Sequence, residues 1–164
     1  MRKNGMGSHQ SCKSGKTEWL TPKELMSQLP VFDLDPCSPI DRPWDTAHYH
    51  YTIEDNGLTQ NWFGRVFCNP PYDDCATWLK KLSDHNNGIA LIFARTETIT
   101  FFQYVWNKAS AILFIEGRIY FCHVSGEKAK ANSGAPSVLV AYGSECAEAL
   151  QQCSVKGKFI RLNP

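Results

Sequence analysis

The tetrad Asn69-Pro70-Pro71-Tyr72, set directly behind the apolar run Val66-Phe67-Cys68, constrains this chain more than any other feature. Neither proline has an N–H to give to a ladder, so a strand arriving through Val66 must end here. The prolines also hold the backbone extended, which keeps Asn69 and Tyr72 at a fixed separation. Asn69 offers a side-chain carbonyl as acceptor, the carbonyl of Pro70 is a second acceptor that no helix claims, and Tyr72 supplies an aromatic face.

Around that point the pattern alternates between strands and helices. Thr21-Pro22 opens a helix, with Thr21 as N-cap, Pro22 at the first helical position and Glu24 at capping-box distance. Short strands are expected over 31–35, 49–53 and 65–68, and a helix over 74–84 with Trp78, Leu79 and Leu82 on one face. Residues 88–94 (GIALIFA) form a continuous apolar run of strand length, as expected of a strand covered on both sides. A helix over 98–109 follows, with Phe101, Phe102, Val105 and Trp106 as its buried stripe. Strands are expected over 111–116 and 118–122, a polar mobile loop over 124–135, and a strand over 137–141. A short helix over 145–152 and a last strand over 159–162 complete the pattern. This alternation predicts an α/β fold, a single mostly parallel sheet with a C-terminal antiparallel part. Ligands in such sheets bind beyond the carboxyl ends of the strands, where Asp33 to Pro36, Glu54-Asp55 and Asn69 to Tyr72 are all expected.

The tetrad suits one kind of chemistry. The nitrogen of an aromatic amine is a poor nucleophile because its lone pair is delocalised into the ring. Two acceptors gripping its two N–H bonds pull electron density to nitrogen and stabilise the positive charge that develops on attack, the inverse of an oxyanion hole. An aromatic ring stacked on the base aims the amine, and the base must leave a duplex to reach the loop. The same four residues also make a rigid turn closing a strand.

On the cofactor side, an acid about 20 residues past the first strand commonly holds ribose hydroxyls, and Glu54 stands about that far from Asp35. Asp55 is a candidate acceptor for an adenine amine, and Asp33 and Asp35 for a methionine ammonium; Asp also caps turns. No G-x-G-x-x-G loop is present, which disfavours a pyrophosphate cofactor such as NAD but not S-adenosylmethionine, which has no phosphates.

The 164 residues suit one domain, 17–164, behind a polar arm, 1–16, expected to be flexible. The arm lacks an apolar h-region, no apolar run approaches a membrane span, and the net charge is +1, so a broad basic footprint for nucleic acid is missing. Seven cysteines with no C-x-x-C pair indicate free thiols and a reducing cytoplasm. His48 and His50 lack a third partner at useful spacing, so no metal is expected.

Together, several stretches resemble the phage-type DNA N-6-adenine methyltransferases (Dam-type). They are Glu18-Trp-Leu-Thr-Pro22, Phe32-Asp-Leu-Asp-Pro-Cys37, Glu54-Asp-Asn-Gly-Leu58 with Gln60 and Trp62, and Val66-Phe-Cys-Asn-Pro-Pro-Tyr72. Farther on come Ala94-Arg-Thr-Glu-Thr98, Gly117-Arg118 with Phe121, and Ala135-Pro-Ser-Val138. The resemblance implies a Rossmann-like methyltransferase fold, S-adenosylmethionine as donor and double-stranded DNA as partner, in a monomer or homodimer. A phage or prophage origin would place it in a bacterial cytoplasm. It further implies that Trp19, Thr21 and Pro22 enclose the cofactor with Asp33, Asp35 and Pro36, and that Asn69, Pro70, Pro71 and Tyr72 carry the target amine. The chain departs from the wider methyltransferase pattern in replacing F-x-G-x-G by Asp35-Pro36-Cys37-Ser38, and in having Asn where many relatives have Asp. Asn keeps the acceptor carbonyl.

Arg95, at the end of the GIALIFA strand, is a candidate for DNA phosphate or the flipped nucleotide, with an ion pair to Glu97 as the plain alternative. Lys128 and Lys130 are candidates for phosphate. The N-P-P-Y tetrad also occurs in methyltransferases acting on protein glutamine or RNA guanine, and a binding module that has lost activity is a rival from another class.

Overall fold

A computed structural model describes residues 18–163; the arm, 1–16, lies outside the described residues. The elements are β1 (Trp19–Leu20), α1 (Lys23–Gln28), β2 (Leu34–Asp35), β3 (Tyr49–His50), β4 (Val66–Cys68), α2 (Cys75–His85), β5 (Gly88–Phe93), α3 (Ile99–Phe101), β6 (Ala111–Ile115), β7 (Cys122–His123), β8 (Ser137–Tyr142), α4 (Ser144–Gln152) and β9 (Gly157–Arg161). Seven strands form one sheet in the order β3-β2-β4-β5-β8-β6-β9, and β1 and β7 pair separately.

The α/β class stands, but the sheet is mixed rather than mostly parallel. β3, β2, β4 and β5 are joined by parallel pairings, whereas β5–β8, β8–β6 and β6–β9 are antiparallel. The cause is the return path after β6. Residues 119–136 carry no crossover helix, so β8 enters beside the carboxyl end of β5 and runs back along it, Phe93 against Ser137 and Gly88 against Tyr142.

Apolar alternation divides the core in two. Phe67, Ile89, Leu91, Leu113, Leu139 and Ala141 face α1 and α4, with Leu25, Phe32, Cys146 and Leu150. Val66, Cys68, Ala90, Ile92, Ile112, Val138 and Val140 face α2 and α3, with Trp78, Leu82, Phe101 and Val105. Successive residues of β5 thus serve both layers, and its uninterrupted apolar run follows.

Three local expectations change. Pro22, not Thr21, occupies the cap position of α1, and its carbonyl accepts from Leu25 and Met26. The helix expected over 98–109 is α-helical only in α3 and continues as a π-turn over Phe102–Trp106, closed by Asn107 N–H to Phe102 O at 3.2 Å. The Tyr142 hydroxyl donates to Tyr104 O at 2.6 Å and Asn163 to Trp106 O at 3.2 Å, so outside donors serve carbonyls that an α-helix would use. Finally, the loop expected to be mobile folds back on the preceding chain. Ala129 N–H bonds Phe121 O and Ser133 N–H bonds Ile119 O, both at 2.8 Å, leaving only Cys122–His123 as strand.

Candidate active site at the carboxyl edge of the parallel strands

β4 delivers Asn69 beyond its carboxyl end. The 3-10 turn Tyr72–Asp74 then starts from the carbonyl of Pro71, which accepts Asp74 N–H at 3.3 Å, and so leaves the Pro70 carbonyl outside the ladder. The Asn69 carboxamide donates from Nδ2 to Thr21 Oγ1 at 3.2 Å. Neither its Oδ1 nor the Pro70 carbonyl takes a hydrogen bond among the described residues, so two unengaged acceptors adjoin in sequence.

Two groups brace this loop from below. The Cys37 thiol donates to Asn69 O at 3.2 Å and lies 3.9 Å from the Cys68 sulfur. Contact with Cys68, burial and the nearby Asp35 raise the Cys37 thiol well above its ordinary value, so it remains a neutral donor. The Thr21 hydroxyl, only 3% exposed as a residue, comes from the segment leading into α1. Its carbonyl accepts Trp44 Nε1 at 3.0 Å, which fixes the segment over the site.

Tyr72 lies flat on Phe93, with ring centroids 4.1 Å apart and planes 9° from parallel. Phe93 ends β5, and the Arg95 guanidinium lies 5.9 Å from its ring. Arg95 is therefore at the same edge as the tetrad.

The expected cofactor residues separate. Asp35 is buried beside Cys37: one oxygen accepts Cys37 N–H at 3.1 Å, and the other accepts the Thr46 hydroxyl. Burial pushes its carboxyl up to about 6, against the pull of the Thr46 and Cys37 donors. Pro36 is met by the turn that carries Glu54 and Asp55, because a Cβ on Gly57 would overlap the Pro36 carbonyl oxygen. In that turn Asp55 accepts Thr52 N–H at 2.7 Å, and Glu54 is exposed. Trp62 donates to Gly57 O at 2.8 Å and Lys81 to Gln60 O at 2.6 Å, tying the turn to α2. Thr21 reaches Asn69, as above, and Pro22 starts α1. Trp19 lies in β1, its ring 4.7 Å from that of His123.

Asp33 is not brought to this edge. It precedes β2 and accepts Arg65 N–H at 2.7 Å, level with the start of β4. The four steps along β4 from Arg65 to Asn69 put it about 13 Å from the level of Asn69. Its carboxylate instead fills the space over Gly64, whose φ is +61°.

Lys128 and Lys130 are exposed in the fold-back after β7, Lys128 sitting 4.4 Å over the Tyr120 ring. Cys122 bridges Lys128 on one side and pairs with Leu20 on the other, so the fold-back adjoins the strand leading to Thr21. His50 is a structural hub, its Nε2 3.2 Å from Thr46 N and its Nδ1 3.1 Å from Arg42 Nη2, and His48 lies 4.0 Å from Asp33. Surface clefts on the β6–β9 side, lined by Phe114, Glu116, Gly157 and Lys158 and by Leu25, Gln28 and Val155, hold none of the motif residues.

Two contributors escape a reading of the sequence: Phe93 is hidden in a continuous apolar run, and Thr46 sits in a stretch without regular pattern. Cys37 stands in a stretch that carries the resemblance, but nothing there marks its thiol as a brace for Asn69.

The edge as a whole is rich in acceptors. Arg42 is engaged by Asp45, by the Pro39 carbonyl and by His50, and the Lys81 ammonium by two carbonyls. No curated protein and no solved structure matches the chain. The model of one family, DNA N-6-adenine-methyltransferase (Dam), matches residues 8–158, and the chain belongs to that family.

Proposed function

We propose that the chain is a site-specific methyltransferase that moves a methyl group from S-adenosylmethionine to N6 of adenine in double-stranded DNA, within a Rossmann-like fold. The observation that carries the reading is the Asn69 carboxamide, held through Nδ2 by Thr21 so that Oδ1 stands available beside the Pro70 carbonyl. The family supports DNA adenine as substrate, and the parallel half of the sheet supports a cofactor at its carboxyl edge.

S-adenosylmethionine, when bound, supplies an electrophilic methyl group on a sulfonium. The acceptor-rich edge fits it. Asp35 and Pro36 would line one side, the exposed Glu54 would reach ribose hydroxyls, and Thr21 and Pro22 would cover the other side. Asp55 would contribute the edge of its turn, and Trp19 would close the outer wall. Asp33, before the start of β2, would act on the site only through the β2–β4 pairing that it braces at Arg65.

Asn69 Oδ1 and the Pro70 carbonyl accept hydrogen bonds from the two N6–H groups and draw charge toward nitrogen. Tyr72 stacks on the extruded base, and Pro71 keeps the ring and the acceptors in register. No general base of tuned pKa is needed, because the proton leaves to water after nitrogen has become cationic. The rate gain comes from positioning and preorganised dipoles. Arg95 at the same edge and the exposed Lys128 and Lys130 would hold phosphates.

The test is transfer of labelled methyl from S-adenosylmethionine to unmethylated DNA, with nucleoside analysis of the product. N6-methyladenine that disappears in Asn69→Ala is the expected result. Cofactor binding without DNA methylation would overturn the substrate, and no cofactor binding at all would overturn the enzyme reading.

A further inference from the structure

One buried polar atom near the tetrad has no use in the free protein. Ser137, 2% exposed, opens β8, and its hydroxyl finds no hydrogen-bond partner among the described residues. A buried hydroxyl left unpaired is destabilising and is uncommon in folded proteins. Ser137 is the cross-strand partner of Phe93, so its side chain rises on the same face of the sheet, next to the base of the ring on which Tyr72 lies. Asn69 shares that face: Phe67 and Leu91 belong to the same core layer, and Asn69 follows Phe67 at the even spacing of a strand.

Register gives the separation. Asn69 extends β4 to the level of Leu91, which pairs with Leu139, and Ser137 lies two residues beyond Leu139 and two strands across. That is about 12 Å between backbones. Two side chains with a hydrogen bond each, and a purine ring between them, fill such a gap.

We propose that Ser137 is a base-reading residue, whose hydroxyl donates to a ring nitrogen of the adenine held by Asn69 and Pro70. The inference rests on the proposed function and deepens it. Entry of the base parts the Tyr72–Phe93 stack, and the hydroxyl acquires the acceptor it lacks. A ring nitrogen at that place distinguishes adenine from a base presenting a donor there, so the contact contributes selectivity as well as affinity.

The experiment compares wild type with Ser137→Ala on duplex oligonucleotides. The target is adenine, 1-deazaadenine, 3-deazaadenine or 7-deazaadenine, and melting of the free proteins is followed in parallel. Ser137→Ala is expected to melt at or above the wild-type temperature, because an unpaired hydroxyl is gone, while kcat/KM on adenine falls about tenfold. One deaza base is expected to cost wild type a similar factor and to cost Ser137→Ala nothing further. The same deaza sensitivities in both proteins, or an unchanged kcat/KM on adenine, would overturn the inference alone. A wild type that leaves adenine unmethylated would sink the parent reading together with it.

Discussion

Thr21 Oγ1 accepts a hydrogen bond from Asn69 Nδ2 at 3.2 Å, joining residues 48 apart in sequence. On the proposed function, that bond turns the Oδ1 end of the carboxamide toward the target amine. Replacement of Thr21 by Val keeps the shape and removes the acceptor, freeing the carboxamide to rotate. A neutral hydrogen bond of about 1 kcal/mol predicts a kcat lower by roughly five- to tenfold with KM for DNA little changed. Thr21→Ser, which keeps the hydroxyl, should restore the rate. Steady-state kinetics on one oligonucleotide separate the three proteins.

The Tyr72–Phe93 stack sets a second expectation. The two rings are in contact at 4.1 Å, and on the proposed function a flipped base would replace one ring face with its own. Tyr72→Ala removes the platform, and loss of base stacking of about 1–3 kcal/mol predicts a five- to 150-fold loss in kcat/KM. An oligonucleotide with 2-aminopurine at the target reads this directly: wild type should raise its fluorescence on binding, and Tyr72→Ala should leave the signal high but bind more weakly. Equal affinity in the two would remove Tyr72 from the site.

Asp35 predicts a pH dependence of stability. Its folded carboxyl is raised to about 6 from 3.8, mainly by burial. Between those values the unfolded chain has lost the proton and the folded chain keeps it, so unfolding releases a proton and stability falls as pH rises. The contribution is full below about pH 4 and lost by about pH 6, a change on the order of 3 kcal/mol. Asp35→Asn should flatten this limb in urea melts at successive pH values. An unchanged limb in the variant would assign the dependence to other groups.

Much of this could be read from the chain, and the misses share a cause. The run 88–94 identified β5 because a strand covered on both faces needs no alternation, and the double proline located the end of β4. The same rule concealed Phe93, since an apolar residue at the end of an apolar run looks like core. Thr21 carried a sound capping pattern, yet Pro22 took the cap position and the hydroxyl was drawn to Asn69, a contact that local spacing does not encode. The direction of β8 depends on how residues 119–136 double back through backbone hydrogen bonds, which leave no side-chain pattern. Asp33 and Asp35 differ by two positions in one short segment, but the register of β2 against β4 sends them to different levels of the sheet.

Gly57 makes a prediction about how two segments meet. A methyl group there would overlap the Pro36 carbonyl oxygen and approach Trp78 at 3.3 Å. Backbone on one side and a Trp ring on the other leave no flexible atom to yield. Gly57→Ala should therefore cost about 1–3 kcal/mol of stability. It should also move the Glu54–Asp55 turn away from Pro36, weakening S-adenosylmethionine binding more than DNA binding. Calorimetry with each ligand checks the split.

The fold-back after β7 yields the last expectation, through salt. Lys128 and Lys130 are exposed, while the Cys122 backbone connects their segment to Leu20 and so to Thr21 and Asn69. On the proposed function, DNA entering the tetrad would pass close to that segment, and with a net charge of only +1 a few well-placed cations would do most of the phosphate binding. Each phosphate contact adds about 0.9 to the slope of log affinity against log salt. Lys128→Ala and Lys130→Ala should each reduce that slope by about 1 and weaken binding equally for all sequences. Fluorescence anisotropy at a series of salt concentrations measures it. A slope unchanged in Lys128→Ala would confine that ammonium to its place over Tyr120.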